Sequence, residues 1–338
     1  MSIFVNYVII VSEKDIPMLN ENKSSRHIQT AVIDNPRTAN HKITWVNVVD
    51  AGKQEIEYLR KKYGFQLSHL RASSASAFAQ RPELYHGSDY LFLILHFPIY
   101  QNEQIVASEV DFFFGHGFLI TLHNGNLKPL NEFFNLCKKD GESLLTYELE
   151  SSAVLLYEIL HKLMHGCYPL LDKNSVAINA VEEIIFSQNE RLAVTQILFL
   201  RQNIINFHKI MQSHKFILTK LQELKSSLVP VGDLKKYYKE LVEHAKIIWD
   251  VLENQKEVIG ILNSTNESLQ NYRLSDIMRT LTIFSVIIFS LTLTATIFSM
   301  RAVDLPLVRS EGSFWAIISI MGFVGMSVIF FFKTKKWF

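Results

Sequence analysis

Two long charge-free stretches dominate the hydrophobic pattern. Residues 280–300 (TLTIFSVIIFSLTLTATIFSM) and 312–332 (GSFWAIISIMGFVGMSVIFFF) each run 21 positions without Asp, Glu, Lys or Arg. At 1.5 Å rise per residue, each helix covers roughly 31 Å, the thickness of a bilayer's hydrocarbon core. Core helices of soluble proteins rarely run this long without a charge. The pattern predicts two transmembrane helices, at 280–300 and 314–332, joined by an extracytoplasmic loop at 301–313 and followed by a basic tail at 333–338.

Upstream, residues 1–143 alternate apolar runs with turn chemistry. Strands are expected at Ile3–Val11, Ile43–Val49, Tyr90–Phe97 and Ser108–Leu122. The last run splits at Gly115-His116-Gly117, where glycines allow a tight hairpin pairing Asp111–Phe114 with Phe118–His123. Helical patches at Gln54–Tyr63 and Ser68–Gln80 lie between them, which makes this an α/β or α+β domain. From 144 to 279 the apolar spacing becomes helical, over Leu144–Cys167, Leu171–Phe186, Leu192–Lys225 and Leu234–Leu269. Only Pro169 and Pro230-Val-Gly232 interrupt it. The last helix contains no proline and continues into the first span, a rod of about 65 residues and roughly 100 Å. A single helix that long needs neighbours, which argues for a symmetric bundle of subunits.

Polar side chains inside a membrane helix must face protein or water. Ser275, Met278, Thr282, Ser285, Phe289, Thr292, Thr296 and Ser299 recur at steps of three and four and share one face. Ser290 and Thr294, on the other side, are read as bonding back to their own helix. The stripe fits either close helix packing through small residues or a water-filled pore with Met278 and Phe289 as constrictions. The pattern alone leaves both open. The second span, with Gly322 and Gly325, reads as an outer packing helix.

Charge then sets the orientation. Lys333, Lys335 and Lys336, with Arg273 and Arg279, mark one side as cytoplasmic, whereas Arg301, Asp304, Arg309 and Glu311 cancel in the loop. Both termini are expected in the cytoplasm of an inner (plasma) membrane protein, because the N-terminal run lacks the features of an export signal. With 34 Lys+Arg against 33 Asp+Glu, the chain lacks the basic balance of a nucleic-acid binder. Its two cysteines, Cys137 and Cys167, fit a reducing compartment. The sequence contains no phosphate-binding glycine loop and no nucleophile motif, so neither ATP-driven pumping nor an enzyme is expected. No covalent cofactor is expected either.

The run Asn271-Tyr-Arg-Leu-Ser275-Asp-Ile-Met278-Arg-Thr-Leu281-Thr-Ile-Phe resembles the N-x-x-N-E-x-M-K-x-L-T-I pattern that begins the pore helix of the CorA family of divalent-cation channels and transporters. Ser290-Leu-Thr292-Leu-Thr-Ala-Thr296-Ile-Phe is similar to that family's P-L-T-x-I-A-G-I-Y. Tyr237-Tyr-Lys-Glu240-Leu-Val-Glu243-His244 resembles its Y-x-x-D-x-x-D-H stalk run. Arg81-Pro82 with Asp89-Tyr-Leu-Phe-Leu-Ile-Leu, then Gly117-Phe-Leu-Ile-Thr-Leu-His123, resembles its α/β domain, and the ending Lys333-Thr-Lys-Lys-Trp337-Phe338 its basic, aromatic tail. The resemblance implies a funnel-shaped homopentamer. A cytoplasmic α/β domain would lead through a stalk helix into a pore-lining first span that passes a divalent cation such as Mg²⁺.

Two departures stand out. At the outer end of the pore helix the family carries Gly-Met-Asn, and this chain has Ser299-Met300-Arg301. Five arginines about 8 Å from a divalent ion repel it by roughly 5 kcal/mol in bulk-water dielectric before screening. Zinc or another cation, an anion path, or a non-conducting interaction protein are therefore alternatives to magnesium transport. In the family, magnesium also bridges a stalk acid to an acidic pair on a neighbouring subunit. Glu240 stands at the stalk position as a hard oxygen ligand, but the pair appears as Ser73-Ser74. Glu240 is thus read first as a solvated helix carboxylate. His161 and His165, at i and i+4 with Cys167 nearby, lack a third well-spaced metal ligand in the sequence, and His208, His214 and His244 look scattered.

Overall fold

A computed structural model of the chain describes residues 27–34, 42–75, 80–139, 151–187, 190–224, 234–299, 313–335 and 337. The expected strand at Ile3–Val11, the loop after the first span, and Met300 and Arg301 lie outside these residues. The chain forms two compact units: 1–180 with 198–259, and 181–197 with 260–338.

Among the described residues, the first unit is built on a six-stranded sheet. Its strands are β1 (Ile28–Asp34), β2 (Lys42–Val49), β3 (Glu83–His86), β4 (Tyr90–Gln101), β5 (Gln104–Gly115) and β6 (Phe118–His123), in the order β1-β2-β6-β5-β4-β3. Only β2 and β6 pair in parallel. The expected hairpin forms, with Gly115 opposite Phe118. Its two glycines serve different ends. Gly117 sits at φ 73°, where a side chain is strained, whereas a Cβ on Gly115 would meet the Phe118 ring at 2.6 Å and the Asp89 carbonyl at 2.9 Å. A second hairpin joins β4 to β5 through Asn102 (φ 49°) and Glu103 (φ 65°), a tight turn with both central residues left-handed.

Period-2 alternation gives the sheet two buried faces. One face carries Val46, Val48, Phe92, Ile94, Phe113 and Ile120, covered by Ile56 and Leu59 of α1 (Lys53–Tyr63) and Leu70 of α2 (Leu67–Ala72). The other carries Ile43, Trp45, Leu93, Leu95, Phe112 and Leu119. It packs against α3 (Lys128–Lys139), α4 (Ser152–His165), α7 (His214–Glu223) and residues of α5 (Tyr168–Phe186), α6 (Glu190–Met211) and α8 (Leu234–Ser299). Trp45 anchors this face, with its ring edge-on to Phe134 at 4.9 Å and its Nε1 donating to Thr121 Oγ1 at 3.1 Å.

Sheet and helices share one core, so the change of pattern near residue 144 marks a change of secondary structure within a single packed unit. The expected helix over Leu192–Lys225 is two helices, α6 and α7, separated at Gln212-Ser213. Helix α8 buries Tyr238, Leu241, Ala245, Ile248, Leu252, Gln255 and Ile259, a three-four spacing typical of a coiled-coil seam. Gln255 is satisfied inside it by donating to the Leu171 carbonyl at 2.9 Å and the Ser175 hydroxyl at 3.0 Å.

In the second unit, the C-terminal part of α8 pairs with α9 (Ser313–Thr334). These two helices are long and apolar enough to cross a membrane. Only 6% and 0% of their most apolar windows are buried, which separates them from the core helices of a soluble protein.

Candidate functional site

All eight stripe residues lie on the uninterrupted helix α8, and every one is exposed. Between residues 280 and 299 the buried or half-buried positions are Ile283, Ile287, Ser290, Leu291, Thr294 and Phe298, and Leu291 lies against Gly325 of α9. At 100° per residue the two sets fall on opposite sides of the helix. Ser290 and Thr294 therefore belong to the seam, and the hydroxyl stripe is left free of it. Within this chain the stripe is not the helix-packing face.

Four hydroxyl protons of the stripe are already committed. Thr282 donates to the Met278 carbonyl at 2.7 Å, Ser285 to Leu281 at 2.8 Å, Thr292 to Ile288 at 2.8 Å and Thr296 to Thr292 at 2.7 Å. Ser290 and Thr294 bond back in the same way at 2.7 and 2.8 Å. The oxygens of Thr282, Ser285, Thr292 and Thr296 therefore present lone pairs outward. Met278 and Phe289 break the polar face with exposed apolar groups.

Helix α8 carries a second cluster in the first unit. Glu240 is an exposed carboxylate whose Oε2 accepts from the Tyr157 hydroxyl at 2.9 Å. Its Oε1 lies 3.6 Å from His161 Nε2 and 3.7 Å from His244 Nε2. The third histidine that the sequence withheld from His161 and His165 is His244, brought in on α8; the ligand atoms of all three lie within 4.8 Å of one another. Cys167 stays apart, buried and donating its thiol to the Leu163 carbonyl. Ser73, where the resemblance places an acid, is buried, with its hydroxyl on the His69 carbonyl at 3.2 Å.

A sheet-and-helix unit continued by one long helix into a pair of exposed apolar helices is the build of a membrane-anchored protein with a large water-facing part. Residues 40–335 match the family described as CorA-like Mg²⁺ transporter protein, and the chain belongs to that family. It is a membrane protein of an ion-transport family and not an enzyme. The cobalt/magnesium transport protein CorA of Methanocaldococcus jannaschii is 22% identical over 298 residues, covering 88% of this chain and 92% of its own. The complete structure of the CorA magnesium transporter from that organism superposes with a TM-score of 0.81 at 19% identity, over 91% of this chain and 98% of the other. The full-length CmaX protein superposes at 0.72 and 16% identity, over 94% and 100%.

Proposed function

We propose that the chain is a divalent-cation channel of the plasma membrane, with both termini cytoplasmic. Five copies would set their α8 stripes around a common axis, with Ser275, Met278, Thr282, Ser285, Phe289, Thr292, Thr296 and Ser299 lining a wet path and Ser299, Met300 and Arg301 at its mouth. The observation that carries this reading is the position of the stripe opposite the α8–α9 seam. The committed hydroxyl protons support the sign of the ion. Water bound to a cation points its hydrogens outward and seeks acceptors, and these oxygens are acceptors. Water around an anion points its lone pairs outward and seeks donors, which these four back-bonded hydroxyls do not offer. Magnesium dehydrates reluctantly, so contact through its water shell suits Mg²⁺ or Co²⁺.

Liposome flux of Mg²⁺, Zn²⁺, Co²⁺ and Cl⁻ on the wild type and Arg301→Asn tests the proposal. Divalent flux is expected from the wild type and an increase from Arg301→Asn. Chloride flux without cation flux would establish the anion path instead, and no flux from either protein would overturn the channel and favour the interaction role.

A further inference from the structure

We infer that His161, His165, His244 and Glu240 form a zinc-binding site within each chain, a site of nitrogen-rich chemistry distinct from the ion path. It is carried by geometry inside the first unit and stands whether or not the stripe conducts. His161 and His165 lie one turn apart on α4, with ring centroids 4.3 Å apart. The His244 ring reaches in from α8, 5.5 Å from His161 and 4.9 Å from His165. Glu240, one turn before His244, places Oε1 between two of the three nitrogens, at 3.6 and 3.7 Å. Donors about 2.05 Å from a tetrahedral zinc are separated by about 3.3 Å, so closing the shell draws the three histidine nitrogens in from within 4.8 Å of one another and swings Glu240 Oε1 toward them.

The supporting contacts are those a metal site needs. The Tyr168 hydroxyl lies 2.7 Å from His244 Nδ1, so with Nδ1 protonated and donating to that oxygen, Nε2 is left as the donor facing the cluster. Tyr157 holds the outer carboxylate oxygen of Glu240 at 2.9 Å and leaves Oε1 for the ion. His165 is exposed, which gives an ion a way in.

Three imidazoles and one carboxylate select a borderline metal such as zinc over magnesium, which demands oxygen donors. The magnesium clamp implied by the family resemblance uses oxygen ligands from neighbouring subunits. Here all four donors come from one chain and three are nitrogens.

The test uses the full-length protein in detergent, stripped by a chelator and dialysed against buffered Zn²⁺ with excess Mg²⁺. One zinc per chain is expected, and Co²⁺ in its place should give the intense visible bands of a four-coordinate ion. His165→Asn, a change at an exposed position, and His244→Gln are each expected to weaken zinc binding at least about 100-fold, and Tyr168→Phe about 10- to 100-fold. Thr292→Val with Thr296→Val should leave the bound zinc unchanged. Zinc affinity unaltered by both histidine changes, zinc lost in the threonine variant, displacement by equimolar Mg²⁺, or a weak six-coordinate cobalt spectrum would each overturn the inference.

Discussion

Asp111 should make the stability of the protein fall as pH rises through neutrality, against the usual behaviour of a carboxylate. It stands on β5 facing α1 and α2, 2% exposed, and its Oδ1 has no hydrogen-bond partner among the described residues. Burial, reinforced by the charge of Glu109 and offset in part by the Ser73 hydroxyl, raises its pKa to about 8. In the unfolded chain the group titrates near 3.9. Between these values the folded state holds one proton that the unfolded state has lost. Stability is therefore fully present below about pH 4 and declines up to about pH 8, by about 1.4 kcal/mol per pH unit and roughly 5 kcal/mol in all. Asp111→Asn keeps the shape and removes the titration. Fluorescence-monitored urea unfolding of the wild type and variant from pH 5 to 9 should give a stability difference that grows with pH in the variant's favour and levels off near pH 8. Parallel curves would refute the argument, whatever their offset, because a constant difference reports packing and not ionisation.

Burial holds His123 and His214 at about 4. A buried neutral histidine stabilises fully above about pH 6.5 and loses that contribution as pH falls toward 4, so His214→Leu should flatten the acid limb of the same unfolding series by about 1.4 kcal/mol per pH unit. Leu241→Ala, at a fully buried seam position of α8, should lower unfolding free energy by about 2–5 kcal/mol in urea titrations. Gly115→Ala should lower it by about 1–3 kcal/mol, because the added methyl meets the Asp89 carbonyl as well as the Phe118 ring. On the proposed pore, Thr292→Val removes a water contact worth about 1 kcal/mol, so divalent flux in liposomes should drop roughly fivefold.

Elements with strong periodicity were readable from the sequence, and those defined by distant partners were not. The spans, the proline-free helix α8 and the β5–β6 hairpin each follow from local chemistry: the absence of charge, helical spacing, and two glycines. Strand β1 is hard to read because, at the end of the sheet among the described residues, its Ala31 and Ile33 face the core while Val32 is 59% exposed, a short alternation beside polar residues. Helix α3 did carry a signal, since Leu130, Phe133, Phe134 and Cys137 are spaced for one helical face, but it sits inside a region otherwise read as strands. The break between α6 and α7 carries neither glycine nor proline. His244 was passed over as a metal ligand because its partners lie on α4, far away in sequence. Only the packing of α8 against α4 brings an i, i+4 histidine pair and an i, i+4 Glu-His pair together, and each pair alone looks like an ordinary helix surface.

The proposed pore stripe and the inferred zinc site would divide the labour of metal recognition between two clusters on α8. On the proposed pore, the stripe offers hydroxyl oxygens that meet a water shell, and a water shell reports an ion's charge sign and how tightly it holds its water. Divalent ions of similar hydration present nearly the same outer surface, so such a stripe ranks cation above anion but discriminates weakly between Mg²⁺ and Co²⁺. Telling zinc from magnesium needs direct contact with softer donors, because the difference lies in how each metal bonds nitrogen once its waters are shed. His161, His165 and His244 supply such donors, and the stripe has none. Substitutions in the stripe should therefore scale the fluxes of all hydrated divalent ions together, and substitutions among the histidines should alter the response to zinc alone.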